Sequence, residues 1–135
     1  MDNLTVIIRT APASCWSCGA DTRIVSSLHL SCGGEAAECS IADLTDYPAL
    51  IRDLDGAMPD LANMGKIKPR SSKTLARAYM SNGCVHCDAL FGQHFEIHTR
   101  YAEQDSARLI VPDAAGWATL FRSLLASEDG HLFHL

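Results

Sequence analysis

Nowhere in the 135 residues is there an apolar run near the ~20 residues that a bilayer-spanning helix requires. The opening stretch, MDNLTVIIRTAPA, lacks the cationic head and long apolar core of a secretory signal. The sequence therefore predicts a cytoplasmic protein, in which the Asn3-Leu4-Thr5 sequon carries no glycan. Positive charge is also short: 11 Lys and Arg against 16 Asp and Glu leave a formal charge of −5. That balance excludes a uniformly basic protein that coats duplexes. No low-complexity block or linker breaks the chain, so a single domain over residues 1–135 is expected, long enough to bury a core. Cysteine, by contrast, is plentiful. Six thiols in a reducing compartment point to metal or thiol chemistry before disulfides.

The apolar pattern outlines an α+β chain. Leu4 to Thr10 is β-branched and reads as a first strand, which Pro12 and Ser14 should end. Asp21 to Leu30 reads as a second strand, and SCGGEAAECS after it as a loop. TDYPALIRDL reads as a short helix with Asp46 as N-cap, Pro48 in its first turn, and Leu50, Ile51 and Leu54 on one face. Between Gly56 and Ser72, Pro59, Gly65 and Pro69 predict turns and short pieces. TLARAYM is read as a strand, DALFGQHFEIH as helical despite Gly92, and ARLIVP as a short strand. The strongest helix signal covers Asp113 to Ser127, with Asp113 as N-cap, Gly130 as stop, and Trp117, Leu120, Phe121, Leu124 and Leu125 as an apolar stripe. The predicted fold is a small antiparallel sheet supported by a pair of cysteine knuckles, with this C-terminal helix packed across it.

The knuckles are Cys15-Trp-Ser-Cys18-Gly19 and Cys84-Val-His-Cys87-Asp88. A two-residue gap lets one tight turn aim both sulfurs at one ion, and two such pairs supply the four soft ligands of a tetrahedral structural zinc site. Backbone amides in the turn can support the thiolates. A residue that tolerates positive φ suits the position after the second cysteine; Gly19 fills it in one pair and Asp88 in the other. The predicted ligands are thus Cys15, Cys18, Cys84 and Cys87, with zinc as a structural cofactor. The rival is a redox pair at a helix start, for which Cys84 and Cys87 are candidates. That reading lacks the alternating strands and helices it needs and leaves the first pair unexplained.

CWSCG followed at a distance by NGCVHCDALFG resembles small bacterial and phage proteins of the zinc-ribbon or treble-clef kind. The resemblance rests on Cys15, Trp16, Cys18, Gly19, Cys84, Cys87, Ala89, Leu90 and Gly92, and Asp88 departs from the usual glycine. It implies a fold feature and no particular reaction.

Other residues invite weaker readings. His94-Phe-Glu96 matches the His-x-Glu of nucleobase deaminases, but the cysteine pair precedes it and the proline is missing, so deamination is rejected. His86, His94 and His98 with Glu96 form the candidate centre of a metal-dependent nuclease or hydrolase, against a plainer reading as polar residues of an amphipathic helix. His29, Cys32 and Cys39 could begin a second metal site, although buried structural cysteines are the simpler expectation. Lys66, Lys68, Arg70, Lys73 and Arg77 form the concentrated basic segment, with Tyr79 near enough to stack on a base; this would suit a nucleic-acid-binding regulator. Upstream, Glu35, Glu38, Asp43, Asp46, Asp53, Asp55 and Asp60 make an acidic stretch. With it, the leading expectation is a non-enzymatic, zinc-stabilised protein that binds another protein, of the kind a phage or mobile element encodes to cover a partner's nucleic-acid-binding surface. Trp117, Phe121 and Phe133 are expected in the core.

Overall fold

The structure is a computed structural model that describes residues 3–58, 63–73, 76–111 and 115–127, except the side chains of 93, 94 and 115. Asp60, Asp113, Gly130 and Phe133, which the sequence singled out, lie outside the described residues. The architecture is α+β, with two antiparallel sheets.

The larger sheet has the order β3-β2-β1-β7, from β1 (Leu4–Ser14), β2 (Asp21–Cys32), β3 (Glu35–Cys39) and β7 (Gln104–Val111). The smaller runs β4-β5-β6, from β4 (Lys68–Ser72), β5 (Arg77–Gly83) and β6 (Leu90–Phe91). The helices are α1 (Leu50–Ala57), α2 (Gln93–Thr99) and α3 (Ala115–Ala126), with 3-10 turns at Ile41–Leu44 and Arg100–Ala102.

Alternation decides which face of the larger sheet is covered. Leu4, Val6 and Ile8 of β1 and Leu28 and Leu30 of β2 are fully buried, and the residues between them in β1 are half-exposed. Onto this face pack Ile41 and Leu44, then Leu50, Ile51 and Leu54 of α1, and Trp117, Leu120, Phe121 and Leu124 of α3. The indole of Trp117 donates to the Asp53 carboxylate at 2.8 Å, joining the two helices at one point.

Four details differ from the sequence reading. Pro12 does not end β1, because pairing with β7 spans only Leu4 to Thr10 and β1 is an edge strand on that side by then. The expected loop after β2 is a hairpin: Gly33, at φ 63°, turns the chain into β3. In α1 the start slips to Leu50, after turn bonds from Leu50 to Tyr47 and from Ile51 to Pro48, so Asp46 is no cap. Helix α2 begins only after Gly92, since Leu90 and Phe91 pair with β5 as β6.

The two sheets meet through side chains. A bulge at Ser26 shifts the β1–β2 register, and β3 has ended by then. The Asn82 amide takes the place of a further strand there. It accepts from the Val25 amide at 2.9 Å and donates to the Val25 carbonyl at 2.8 Å. Thr45 Oγ1 accepts from Met80 N at 3.0 Å and Thr22 Oγ1 from Val85 N at 3.1 Å. These bonds set the β5–β6 turn against the end of the β1–β2 hairpin.

Candidate metal centre

Each cysteine pair occupies a strand-to-strand turn, the first between β1 and β2, the second between β5 and β6. The two turns repeat one set of bonds. Gly19 N donates to the Cys15 carbonyl and Asp88 N to that of Cys84, both at 2.9 Å. Cys15 N donates to the Ala20 carbonyl at 2.9 Å and Cys84 N to that of Ala89 at 3.0 Å. Positive φ falls where the sequence required it, 76° at Gly19 and 64° at Asp88. The first sulfur of each pair is inside, the second outside: Cys15 and Cys84 are buried, Cys18 and Cys87 exposed.

The four sulfurs lie within 4.8 Å of one another. The tightest contacts cross between the turns, Cys15 to Cys87 at 3.5 Å and Cys18 to Cys84 at 3.7 Å. A tetrahedron with metal–sulfur arms near 2.3 Å has edges of about 3.8 Å, so this group could hold a metal ion. Backbone amides already point at the inner sulfurs: Ser17 N (3.3 Å) and Cys18 N (3.5 Å) at Cys15, and His86 N (3.3 Å) at Cys84. Burial raises the Cys15 thiol, but the amides of Cys18 and Ser17 and the facing thiols outweigh it and bring it down to about 6. The Ala20 amide lowers Cys18, yet desolvation and the neighbouring sulfurs push it well above its ordinary value. Burial raises Cys84 too, but the amides of Cys87 and His86 and the Cys18 thiol bring it below its ordinary value, so the inner sulfur of each pair releases its proton more readily than Cys18 does.

A small apolar cluster of Cys15, Ile24, Cys84 and Phe91 backs the sulfurs. The indole of Trp16 reaches across to donate to the Leu90 carbonyl at 2.7 Å, so each turn also holds the other.

Asp88 does more than tolerate the turn. Its carboxylate pairs with Lys68 at 2.7 Å and Arg70 at 2.6 Å, and these bonds hold it below the usual carboxylate range. Arg70 is only 8% exposed. Its guanidinium also donates to the Ser81 carbonyl (2.7 Å) and the Lys66 carbonyl (2.8 Å). A Cβ at Gly83 would run into that guanidinium, which explains the glycine of Asn82-Gly83. The sequence reading had missed this clamp. A cation in alternation on a short strand beside a turn aspartate was the signal available.

The clamp also changes the basic segment. Arg70 and Tyr79 are buried and Lys68 is paired, so Lys66, Lys73 and Arg77 are the members whose side chains are left exposed without a hydrogen bond or ion pair among the described residues. Three members of the acidic stretch are likewise bonded within the chain, while Glu35, Asp46 and Asp55 are exposed. Glu38 pairs with Arg9 at 3.0 Å, Asp43 accepts from Ser40 N at 2.9 Å, and Asp53 holds Trp117.

The histidine cluster is not assembled. His86 and His98 are exposed, and the His94 side chain lies outside the described residues. Glu96 turns the other way, 1% exposed, with Oε2 accepting from the Asn82 amide at 2.8 Å. Nor do His29, Cys32 and Cys39 converge. Cys39 sits opposite Leu28 on the core face while His29 alternates to the other face. Among the described residues, the four knuckle cysteines are the one group of three or more such side chains placed to hold a metal. No protein-family model, no curated protein and no solved structure matches the chain.

Proposed function

We propose that this chain is a non-catalytic binding protein stabilised by a structural zinc ion on Cys15, Cys18, Cys84 and Cys87, and that it acts through contacts with another protein. The observation that carries the zinc reading is the quartet of sulfurs within 4.8 Å of one another, its two crossed contacts near the edge of a zinc–thiolate tetrahedron, fed by the two repeated turns. Four thiolates suit a soft ion and close its coordination shell, leaving no open position for water or substrate. Redox pairing within either turn would leave the other turn's identical geometry without a purpose. The resemblance of the two knuckle motifs to those of small bacterial and phage proteins of the zinc-ribbon or treble-clef kind agrees with this reading.

A protein partner is supported by where apolar side chains remain in water. Of six exposed large apolar side chains among the described residues, Trp16, Val85, Phe95, Ile97 and Tyr101 lie on the two knuckles, on α2, or on the 3-10 turn after it. Exposed aromatic and aliphatic side chains gathered at one end mark a protein-binding surface, and Trp and Tyr dominate binding energy in such places. The ion would take the formal charge from −5 to about −7, which favours a basic partner surface, including one that otherwise binds nucleic acid.

Elemental analysis should give one zinc per chain, and a chelator should unfold the protein. A partner captured stoichiometrically from host lysate should be lost with Ile97→Glu while zinc content is unchanged. Protein that folds without metal refutes the first half of the reading; a variant that keeps the partner refutes the second.

A further inference from the structure

Behind the first knuckle, an open groove of about 580 Å³ runs between α2 and the stem of the β1–β2 hairpin. That volume is within the range of clefts that take small groups. Pro12 and Ala13 give it an apolar floor, and Phe95 and Tyr101 supply two rings. Phe95 is fixed by an edge-to-face contact with Phe91, ring centres 5.7 Å apart. Tyr101 is 93% exposed. An aromatic ring left so open loses hydrophobic free energy unless something covers it.

Charge selects the occupant. Asp21 lines the groove as the first residue of β2, exposed and without a hydrogen-bond or ion-pair partner among the described residues. Arg23 also lines it, but its guanidinium donates along the sheet to Thr10 Oγ1 at 2.9 Å. His98 lines the groove from α2. Ring faces carry negative potential and attract cations. Against a cation stands the one charge of Arg23, drawn toward β1 by Thr10; for it stand the two ring faces, the Asp21 carboxylate and a chain of net charge −5.

We propose that this groove receives an arginine or lysine side chain presented by an extended segment of a partner protein. The inference rests on the protein-binding reading above and names the chemistry of the partner at one site. The basic side chain would lie along the two rings with its head toward Asp21. Apolar side chains flanking it in that segment would cover the floor at Pro12 and Ala13.

The test uses the zinc-loaded full chain and two capped hexapeptides, one with adjacent arginines between leucines, the other with both arginines replaced by citrulline. Binding is followed by amide and side-chain NMR shifts. The arginine peptide should move the signals of Asp21, Phe95, His98 and Tyr101 and bind several-fold more tightly than its neutral twin. Its affinity should fall about threefold with Asp21→Asn and about threefold with Tyr101→Ala. Both residues are exposed, so zinc content should be unchanged in the variants. The preference should shrink as salt rises. Equal binding of the two peptides, or no shift in the groove with either, overturns the proposal. So does a thymidylate hexamer that binds there and binds more tightly to Asp21→Asn. A groove that fails this test in a protein that still captures its partner leaves the general reading standing. A groove that passes it in a protein with no cellular partner does the reverse.

Discussion

Replacing Glu96 by glutamine should stabilise the protein, and by an amount that grows with pH. Desolvation lifts this carboxyl from 4.5 to about 8, with the Asn82 amide and the charge of Arg100 pulling the other way. The folded state therefore holds a proton that the unfolded chain releases above about 4.5. Between those values folding takes up that proton, so this contribution to stability is present at low pH and is lost as pH rises through the folded value. The loss is about 1.4 kcal/mol per pH unit, or ~3 kcal/mol at pH 7. Glutamine is neutral in both states and escapes it. Its carbonyl can accept from Asn82 as Oε2 does, and its amide occupies the place of Oε1, which is buried without a partner. The protonated carboxyl has the same missing partner, so that cost largely cancels in the comparison. A zinc ion on the knuckle thiols would act in the opposite sense, because it must displace their protons. The quantity to follow is thus the difference between variant and wild type in urea unfolding at fixed zinc. It should favour the variant at pH 6 and grow by ~2–3 kcal/mol by pH 8. A difference that stays constant across that range would refute the account of Glu96 as a buried, protonated acid.

Other outcomes follow from the same geometry. Cys84→Ser should weaken zinc retention against a competing chelator more than Cys87→Ser, since Cys84 is buried and accepts the His86 amide while Cys87 is exposed. Asp88→Gly should keep the turn but strand the buried Arg70, lowering stability by ~1–3 kcal/mol in urea unfolding; a neutral result would mean that the clamp adds nothing. Gly83→Ala should be at least as damaging, because its methyl displaces the same guanidinium. Trp117→Phe should cost about 1 kcal/mol and lower the melting temperature by removing the donor to Asp53.

The clustering of the four cysteines was legible because it is local. A two-residue gap and a residue tolerant of positive φ define a turn almost by themselves, so both knuckles and the four converging sulfurs could be read from spacing. The apolar face of α3 was equally plain, since Trp117, Leu120, Phe121 and Leu124 recur at helical period and all are buried. What escaped depends on partners distant in the chain. Arg70 reads as one of five surface cations until Asp88, 18 residues on, is seen beside it. Glu96 reads as a polar residue of an amphipathic helix, or as a member of a candidate hydrolase centre, until Asn82 and the β2 bulge are seen beside it. The division into two sheets was hidden too, because a Gly-Gly turn between polar residues resembles a loop, and a two-residue strand such as β6 has no period of its own.

The contacts between sulfurs join residues 66 and 72 positions apart. An ion there would act as a reversible cross-link between remote parts of the chain. Closing a loop of that size removes about 4 kcal/mol of freedom from the unfolded chain by the estimate used for disulfides. Unlike a disulfide, the link would open with a chelator and close again without an oxidant. A chain cut once between the knuckles would leave two pieces, each carrying two thiolates, held together by the ion and by the paired faces around it. Native mass spectrometry of nicked protein would show one complex with zinc and two fragments without it.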